Sequence, residues 1–286
     1  MTTSDPRGPG RPGPGGWQEL GEGVFRRRYD FLDQNIGLVI GTEAVLLIDT
    51  RAHPGHAREV LSDLKLITPL PVGWVFNTHY HWDHTFGNQV FGGSQIWGHV
   101  NCRTELIEIG LEPIEELVAD YPAEEEELRR VVITPPMEVF DQRATIDLGN
   151  RQVELSYHGR GHTNSDAVLH AGDVTFAGDL VEEGGPPSFG DSFPISWFDT
   201  VGRVAAESRG VIVPGHGDVV DVEYLVVARF DLGWVARQAR EAFSTGRACA
   251  EIDLKGSPYP EAVAREALQR AYAEVEGSGS ASKFSQ

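Results

Sequence analysis

The sequence predicts an α+β fold in which sheets are covered by helices. Groups of short β-branched or aromatic runs are followed by helical segments, rather than alternating with them one for one. At 286 residues, 40% apolar and 23% charged, the chain can bury a sizeable core. Several of the strand-like runs end in histidine or aspartate beside glycine.

The elements follow in order. Residues 1–16 are rich in Pro and Gly and cannot bury enough apolar surface to order themselves, so they read as a disordered tail. The runs "GVFRRRY", "NIGLVIG" and "AVLLIDT" read as strands bounded by Gly and Asp. "HPGHAREVLSDLKLI" places Ala57, Val60, Leu61, Leu64 and Leu66 near helical spacing, with Pro54 in the first turn. "PVGWVF" is a short apolar strand, and residues 101–131 read as two helices broken at Tyr121-Pro122. The run Glu124 to Glu127 reads as a solvated helix face without function. "ATIDLG", "QVELSYH", "DAVLHAG" and "DVTFAGD" return to strands, with Asp173 at a hairpin turn. A helix over about 195–208, the strand "GVIVPGHGD" and helices over about 221–245 and 259–276 close the chain, and 277–286 reads as a second tail.

Composition narrows the function. Forty-three acidic against 24 basic residues give a net charge of −19, which repels phosphate backbones and anionic membranes. Nucleic acid and membrane are therefore not expected as partners. The two cysteines, Cys102 and Cys249, have no C-x-x-C spacing, so neither a disulfide framework nor a cysteine zinc site is expected. The Pro/Gly-rich start does not read as a signal peptide, and no run of about 18 apolar residues occurs, so a cytoplasmic location is expected. Nothing in the sequence sets an oligomeric state.

The chemistry concentrates in "HYHWDH", where His79, His81, Asp83 and His84 fill six positions directly after a strand. His79 and His81 are two apart, so on extended backbone their side chains point the same way and can grip one ion. Desolvating three imidazoles and a carboxylate together is costly unless they coordinate something. One ion would be crowded by all four, and two ions need remote ligands as well. His162 in "GRGHTNSD", Asp179 in "TFAGDLV" and His216 in "VIVPGHGD" are candidates for them, each expected at the end of a strand and flanked by glycine. The remaining histidines, His53, His56, His99, His158 and His170, read as solvated or capping residues.

"THYHWDH", followed in order by "GHT", "AGD" and "PGHGD", resembles the H-x-H-x-D-H signature and later ligand motifs of the metallo-β-lactamase superfamily. The resemblance covers about residues 17–220 and implies a four-layer αβ/βα sandwich with metals in a cleft at one edge of the sheets. Residues 221–276 would be C-terminal helices packed on the same domain. By the resemblance His79, His81 and His162 hold the first metal, Asp83, His84 and His216 the second, and Asp179 bridges them. With Asp179 where the best-known β-lactamases carry cysteine, the chain is more similar to the hydroxyacylglutathione hydrolase and lactonase branches.

The resemblance implies a dinuclear zinc hydrolase of small molecules. Hydroxide formed between the metals would attack the carbonyl of an ester, thioester, lactone or lactam. Asp83 would be the catalytic residue orienting the attacking water. An iron-dependent persulfide dioxygenase of the same fold, with a single metal, is the alternative. Asp49, closing "AVLLIDT", reads either as support for a histidine ligand or as a strand-end turn residue. Glu182 and Glu183 disfavour an anionic substrate unless Arg160 or another base lies close. The stretch 184–197, with Phe189, Phe193 and Trp197, reads as a binding lid, the alternative being aromatics that pin a loop to the core.

Overall fold

The computed structural model describes residues 16–282, with side chains through 277; the expected tail over 1–15 and the last four residues lie outside the described part. The chain opens with strands β1 (Trp17–Gly21), β2 (Val24–Tyr29), β3 (Gln34–Ile40) and β4 (Val45–Ile48). Helix α1 (Pro54–Leu64) leads to β5 (Val72–Phe76), the one-turn α2 (Trp82–Thr85), β6 (Gln95–His99) and α3 (Val100–Ile109). Then come α4 (Ile114–Asp120), α5 (Glu125–Leu128), and β7 (Glu138–Phe140), β8 (Arg143–Asp147), β9 (Gln152–Tyr157), β10 (Ala167–Ala171) and β11 (Val174–Glu182). Helix α6 (Pro194–Glu207), β12 (Val211–His216), α7 (Val222–Ser244) and α8 (Glu261–Ser282) complete the fold.

The strands form two halves. β4, β5, β6 and β7 run parallel, and β3 joins β4 and β2 antiparallel. β8 to β11 form an antiparallel meander, to which β12 adds in parallel. The halves meet through one paired position, His216 opposite Gln34. They are thus continuous in hydrogen bonding and share one apolar layer between them.

Three apolar layers show the sandwich. Val39, Leu46, Ile48 and Phe76 from the first half face Leu155, Leu169, Phe176 and Val213 from the second. Leu38, Leu47 and Val75 on the other side of the first half pack on Ala57, Val60 and Leu64 of α1. Val168, Leu180, Val181 and Ile212 pack on α6, α7 and α8 through Trp197, Val201, Leu225, Val235, Ala267 and Leu268. Strands buried on both faces read as continuous apolar runs, as "AVLLI" does.

The elements differ from expectation at a few points. Strands β1, β6 and β7 were not marked by their composition. The 101–131 segment breaks a second time, because Gly110 takes a left-handed φ of 55° after α3 and Pro113 precedes α4. Leu66 lies beyond the end of α1 and is exposed. Helix α8 runs to Ser282, past the expected end at 276. The Glu124–Glu127 run is solvated only in part: Glu125 and Glu126 are exposed, while Glu124 and Glu127 are half-buried, Glu124 pairing with the buried His53, Glu126 with Arg130 and Glu127 with Arg58 and Arg130. No helix among the described residues is long and apolar enough to cross a membrane.

Candidate metal centre

The C-terminal ends of β4, β5, β11 and β12 converge where the two halves meet. β4 ends one residue before Asp49, and β5 leads into His79 and His81. The single turn of α2 carries Asp83 and His84, the β9–β10 connection carries His162, and β11 and β12 carry Asp179 and His216. Two glycines let the backbones approach. A Cβ on Gly215 would lie 1.7 Å from Asp179 Oδ1, and one on Gly178 would lie 2.7 Å from Thr78 Cβ.

All seven sequence-predicted residues come together, in two groups. His79, His81, His162 and Asp179 offer donor atoms within 4.8 Å of one another, and so do Asp83, His84 and His216. Asp179 lies between them: its Oδ1 is 3.2 Å from His84 Nε2, and its Oδ2 is 3.3 Å from His216 Nε2, 3.5 Å from His162 Nε2 and 3.7 Å from His79 Nε2. Asp83 Oδ2 stands 3.3 Å from His84 Nε2 and 3.2 Å from His216 Nε2.

The outer side of each imidazole fixes its tautomer. Carboxylates and carbonyls only accept, so a ring nitrogen facing one carries the proton. His84 Nδ1–H donates to Asp49 Oδ2 at 2.8 Å, His216 Nδ1–H to the Leu32 carbonyl at 2.7 Å, and His81 Nε2–H to Asp191 Oδ2 at 3.0 Å. His162 Nδ1–H donates to the Ser188 carbonyl at 3.3 Å. Thr78 Oγ1 donates to Asp49 Oδ2 at 2.8 Å, which leaves it to accept from His79 Nδ1–H at 3.1 Å. Five inner nitrogens, those of His79, His81, His84, His162 and His216, thereby point into the cluster, where a proton or a metal ion can sit between them and the carboxylates of Asp83 and Asp179. Two of these nitrogens face each other at 2.8 Å, His81 Nδ1 and His162 Nε2, and two more at 3.3 Å, His84 Nε2 and His216 Nε2. His79 Nε2 and Asp179 Oδ1 are buried without a hydrogen-bond partner.

Lone pairs pointed at lone pairs repel, and positive charge between them removes the conflict. The electrostatics divide the two groups. Burial pushes His79 well below the usual imidazole range and His162 down to about 4. Burial also opposes charge on His84 and His216, yet Asp179 and Asp83 outweigh it and hold both well above that range. The donor set, imidazole nitrogens with two carboxylates, suits zinc, iron and related divalent ions.

Asp49 is a histidine support rather than a turn residue alone. It is 2% exposed, and its oxygens also accept from the Thr78 amide at 2.8 Å. Four outer partners were not distinguished in the sequence: Thr78, Asp191, and the carbonyls of Leu32 and Ser188. Asp191 also accepts a hydrogen bond from Tyr80. It lies inside the 184–197 stretch, but no local pattern singles it out.

The lid reading of that stretch is corrected for its aromatics. Phe189 and Trp197 are buried in the core beneath α7 and α8, and helix α6 already begins at Pro194. Phe193 lies under the Arg160 guanidinium, 4.3 Å from its ring centre. These side chains pin the loop, while Gly184, Gly185, Ser188, Gly190 and Asp191 line the cleft over the cluster. The cleft encloses about 920 Å³, and Asp33, Glu116, Asp120, Glu182, Glu183 and Asp191 face it with no Lys or Arg among its described lining residues. Arg160 pairs with Glu274 instead. Burial beside Asp179 pushes the Glu182 carboxyl up to about 7.

Other histidines have other tasks. His53 and His99 cap α1 and α3 by accepting from the amides of His56 and Asn101, both at 3.2 Å. Their second nitrogens face Glu124 and the Asp141 carbonyl, each at 3.0 Å. His158 and His170 contact the hydroxyls of Ser156 and Thr175, also at 3.0 Å. His56 has no such task, its Nδ1 being buried without a partner while its ring stacks on His53 with centres 3.7 Å apart.

Fold and site together define a mixed α/β protein with paired His/Asp clusters, able to bind metal, at the junction of two sheet halves. A family model described as the metallo-beta-lactamase superfamily matches residues 29–216, and the chain belongs to that superfamily. Among solved structures, a metallo-beta-lactamase from Pontibacter korlensis is 21% identical with a TM-score of 0.60, over 76% of this chain and 98% of its own. One from Hirschia baltica is 19% identical with a TM-score of 0.58, over 75% and 95%. The DIM-1 metallo-beta-lactamase exposed to ceftazidime is 16% identical with a TM-score of 0.57, over 75% and 94%. At these identities the likeness is one of fold. A search of curated proteins found no match.

Proposed function

We propose that the protein is a dinuclear zinc hydrolase that cleaves a carbonyl ester, thioester, lactone or lactam of a small neutral molecule in the cytoplasm. The observation that carries this reading is the pair of convergent donor groups, in which each histidine has its outer ring nitrogen held by an acceptor and its inner one aimed at the cluster. His79, His81 and His162 would hold one ion, Asp83, His84 and His216 the other, and Asp179 would serve both. Such a pair of ions, when bound, acidifies water and polarises a carbonyl.

The chain's own residues supply the rest. Asp83 lines the cleft and is proposed to orient the attacking water and take up its proton. Asp49, Asp191 and the Leu32 and Ser188 carbonyls keep each imidazole in the tautomer that presents a lone pair inward. The acidic cleft wall disfavours anionic substrates, and the net charge of −19 disfavours nucleic acid. The second donor set supports a dinuclear site over the single iron of a persulfide dioxygenase.

Metal analysis of the full chain purified without supplementation tests the assignment. Near two zinc per chain is expected, with hydrolysis lost on chelation and restored by zinc. A single iron, with oxygen consumed on glutathione persulfide, would replace the hydrolase reading by the dioxygenase.

A further inference from the structure

A second cavity adjoins the cleft. It encloses about 270 Å³ between the end of β11, α7 and the 258–260 segment, and Glu182 and Gly185 belong to the walls of both spaces. We propose that this cavity receives an uncharged alkyl or aryl arm of the substrate, which reaches it from the metal cleft across Gly184 and Gly185. The proposal rests on the hydrolase reading for the reacting carbonyl.

The lining sets the chemistry. Leu180, Val181, Trp197, Val227, Leu232 and Tyr259 make the walls chiefly apolar. Two polar groups on those walls are already engaged: Tyr224 Oη–H donates to the Glu182 carbonyl at 2.7 Å and Trp197 Nε1–H to the Leu180 carbonyl at 3.2 Å. The Glu182 carboxylate accepts from the Ser188 amide at 3.0 Å. An entering group therefore finds mainly apolar contact. Asp231 is a further carboxylate on the wall, and no Lys or Arg lines it among the described residues, so an anionic arm is disfavoured.

The shape fits one arm and not a whole ligand. Pockets that enclose a drug-sized molecule measure about 300–1,000 Å³, and this one falls just below that range. A Cβ on Gly184 or on Gly185 would meet no atom within 4 Å, so the strap between the two spaces carries no side chain where a substrate would cross. Pro186 and Pro187 stiffen the strap. Phe189 packs against Trp197 and Tyr259, with ring centres 5.6 and 5.4 Å away, and holds the floor in place. A rigid, preformed apolar pocket loses little by ordering when it binds.

Equilibrium binding to the zinc-loaded full chain tests the pocket apart from turnover. The probes are N-methyl alkanamides with acyl chains of about two to eight carbons, which are neutral and resist hydrolysis. Affinity should rise by up to about fourfold per added methylene until the pocket is full. Ala228→Phe fills the pocket from α7 and should weaken the longest amide at least tenfold. Val227→Trp, at a position already 59% exposed, should do the same and guards against a folding defect in the first variant. Affinity independent of chain length, or a chain-length dependence that survives in both folded variants, would overturn the pocket. Alkanoate esters should follow the same series in kcat/KM. If the amides bind as expected and no ester, thioester or lactone turns over, the pocket stands and the hydrolase reading falls.

Discussion

Replacing Asp49 by Asn changes one oxygen and one charge at a position that serves both donor groups. Its carboxylate accepts three hydrogen bonds of 2.8 Å, from the Thr78 amide, the Thr78 hydroxyl and His84 Nδ1–H. Asn also tolerates the left-handed φ of 62° at this position, so the backbone is left undisturbed. An amide has one acceptor oxygen, and in either orientation it turns an NH₂ toward at least one buried donor. Leaving a buried donor unsatisfied costs about 1–3 kcal/mol, and hydrogen bonds to a charged group contribute about 1.5–3 kcal/mol each. The expected loss of stability is roughly 2–4 kcal/mol, or roughly 5–15 °C in Tm for a domain of this size. His84 loses the partner that fixes its tautomer, and His79 loses its relay through Thr78. Metal affinity should therefore fall by about 10–100-fold, the usual effect of removing such a partner. Thermal unfolding of metal-free protein and competition against a zinc chelator separate the two effects. An Asp49→Asn protein with unchanged zinc affinity and unchanged Tm would refute the tautomer argument.

Three further outcomes are expected. Asp179→Ala should lose one of two metals and most activity with a smaller effect on folding, whereas Asp173→Ala, at the β10–β11 turn, should keep both metals; metal content and hydrolysis on each decide it, and near-normal values for Asp179→Ala would exclude it as a shared ligand. Asp191→Asn removes the charge that holds His81 Nε2–H but lies at a half-exposed position, so zinc affinity should drop by about tenfold while denaturant stability changes by less than about 1 kcal/mol; an equal loss in both would mark a structural role. Paired neutral and carboxylated esters or lactones should differ several-fold in kcat/KM in favour of the neutral member, and a preference for the anionic one, weakened by salt, would reveal a basic contact absent from the described cleft lining.

The sequence by itself determined which residues gather at the candidate site. A metal ligand is a matter of residue type, and "HYHWDH" with the later His162, Asp179 and His216, each next to glycine, carries enough donors to be read locally. Of the last three only His216 ends a strand, His162 lying in the β9–β10 connection and Asp179 inside β11. The strands and helices that deliver them were likewise legible from periodicity, apart from β1, β6 and β7, which are too short or too mixed to show it. What only the tertiary structure decided is how those donors are aimed. The acceptor behind His81 lies 110 residues away in the chain and the one behind His216 lies 184 away, so no local pattern connects them. The same holds for Phe189 and Trp197. As aromatics in a loop near the site they resembled a lid, but α7 and α8, folded back from the end of the chain, bury them. Ligand identity is written in side-chain chemistry, whereas tautomer, orientation and burial depend on contacts that exist only once distant segments have packed.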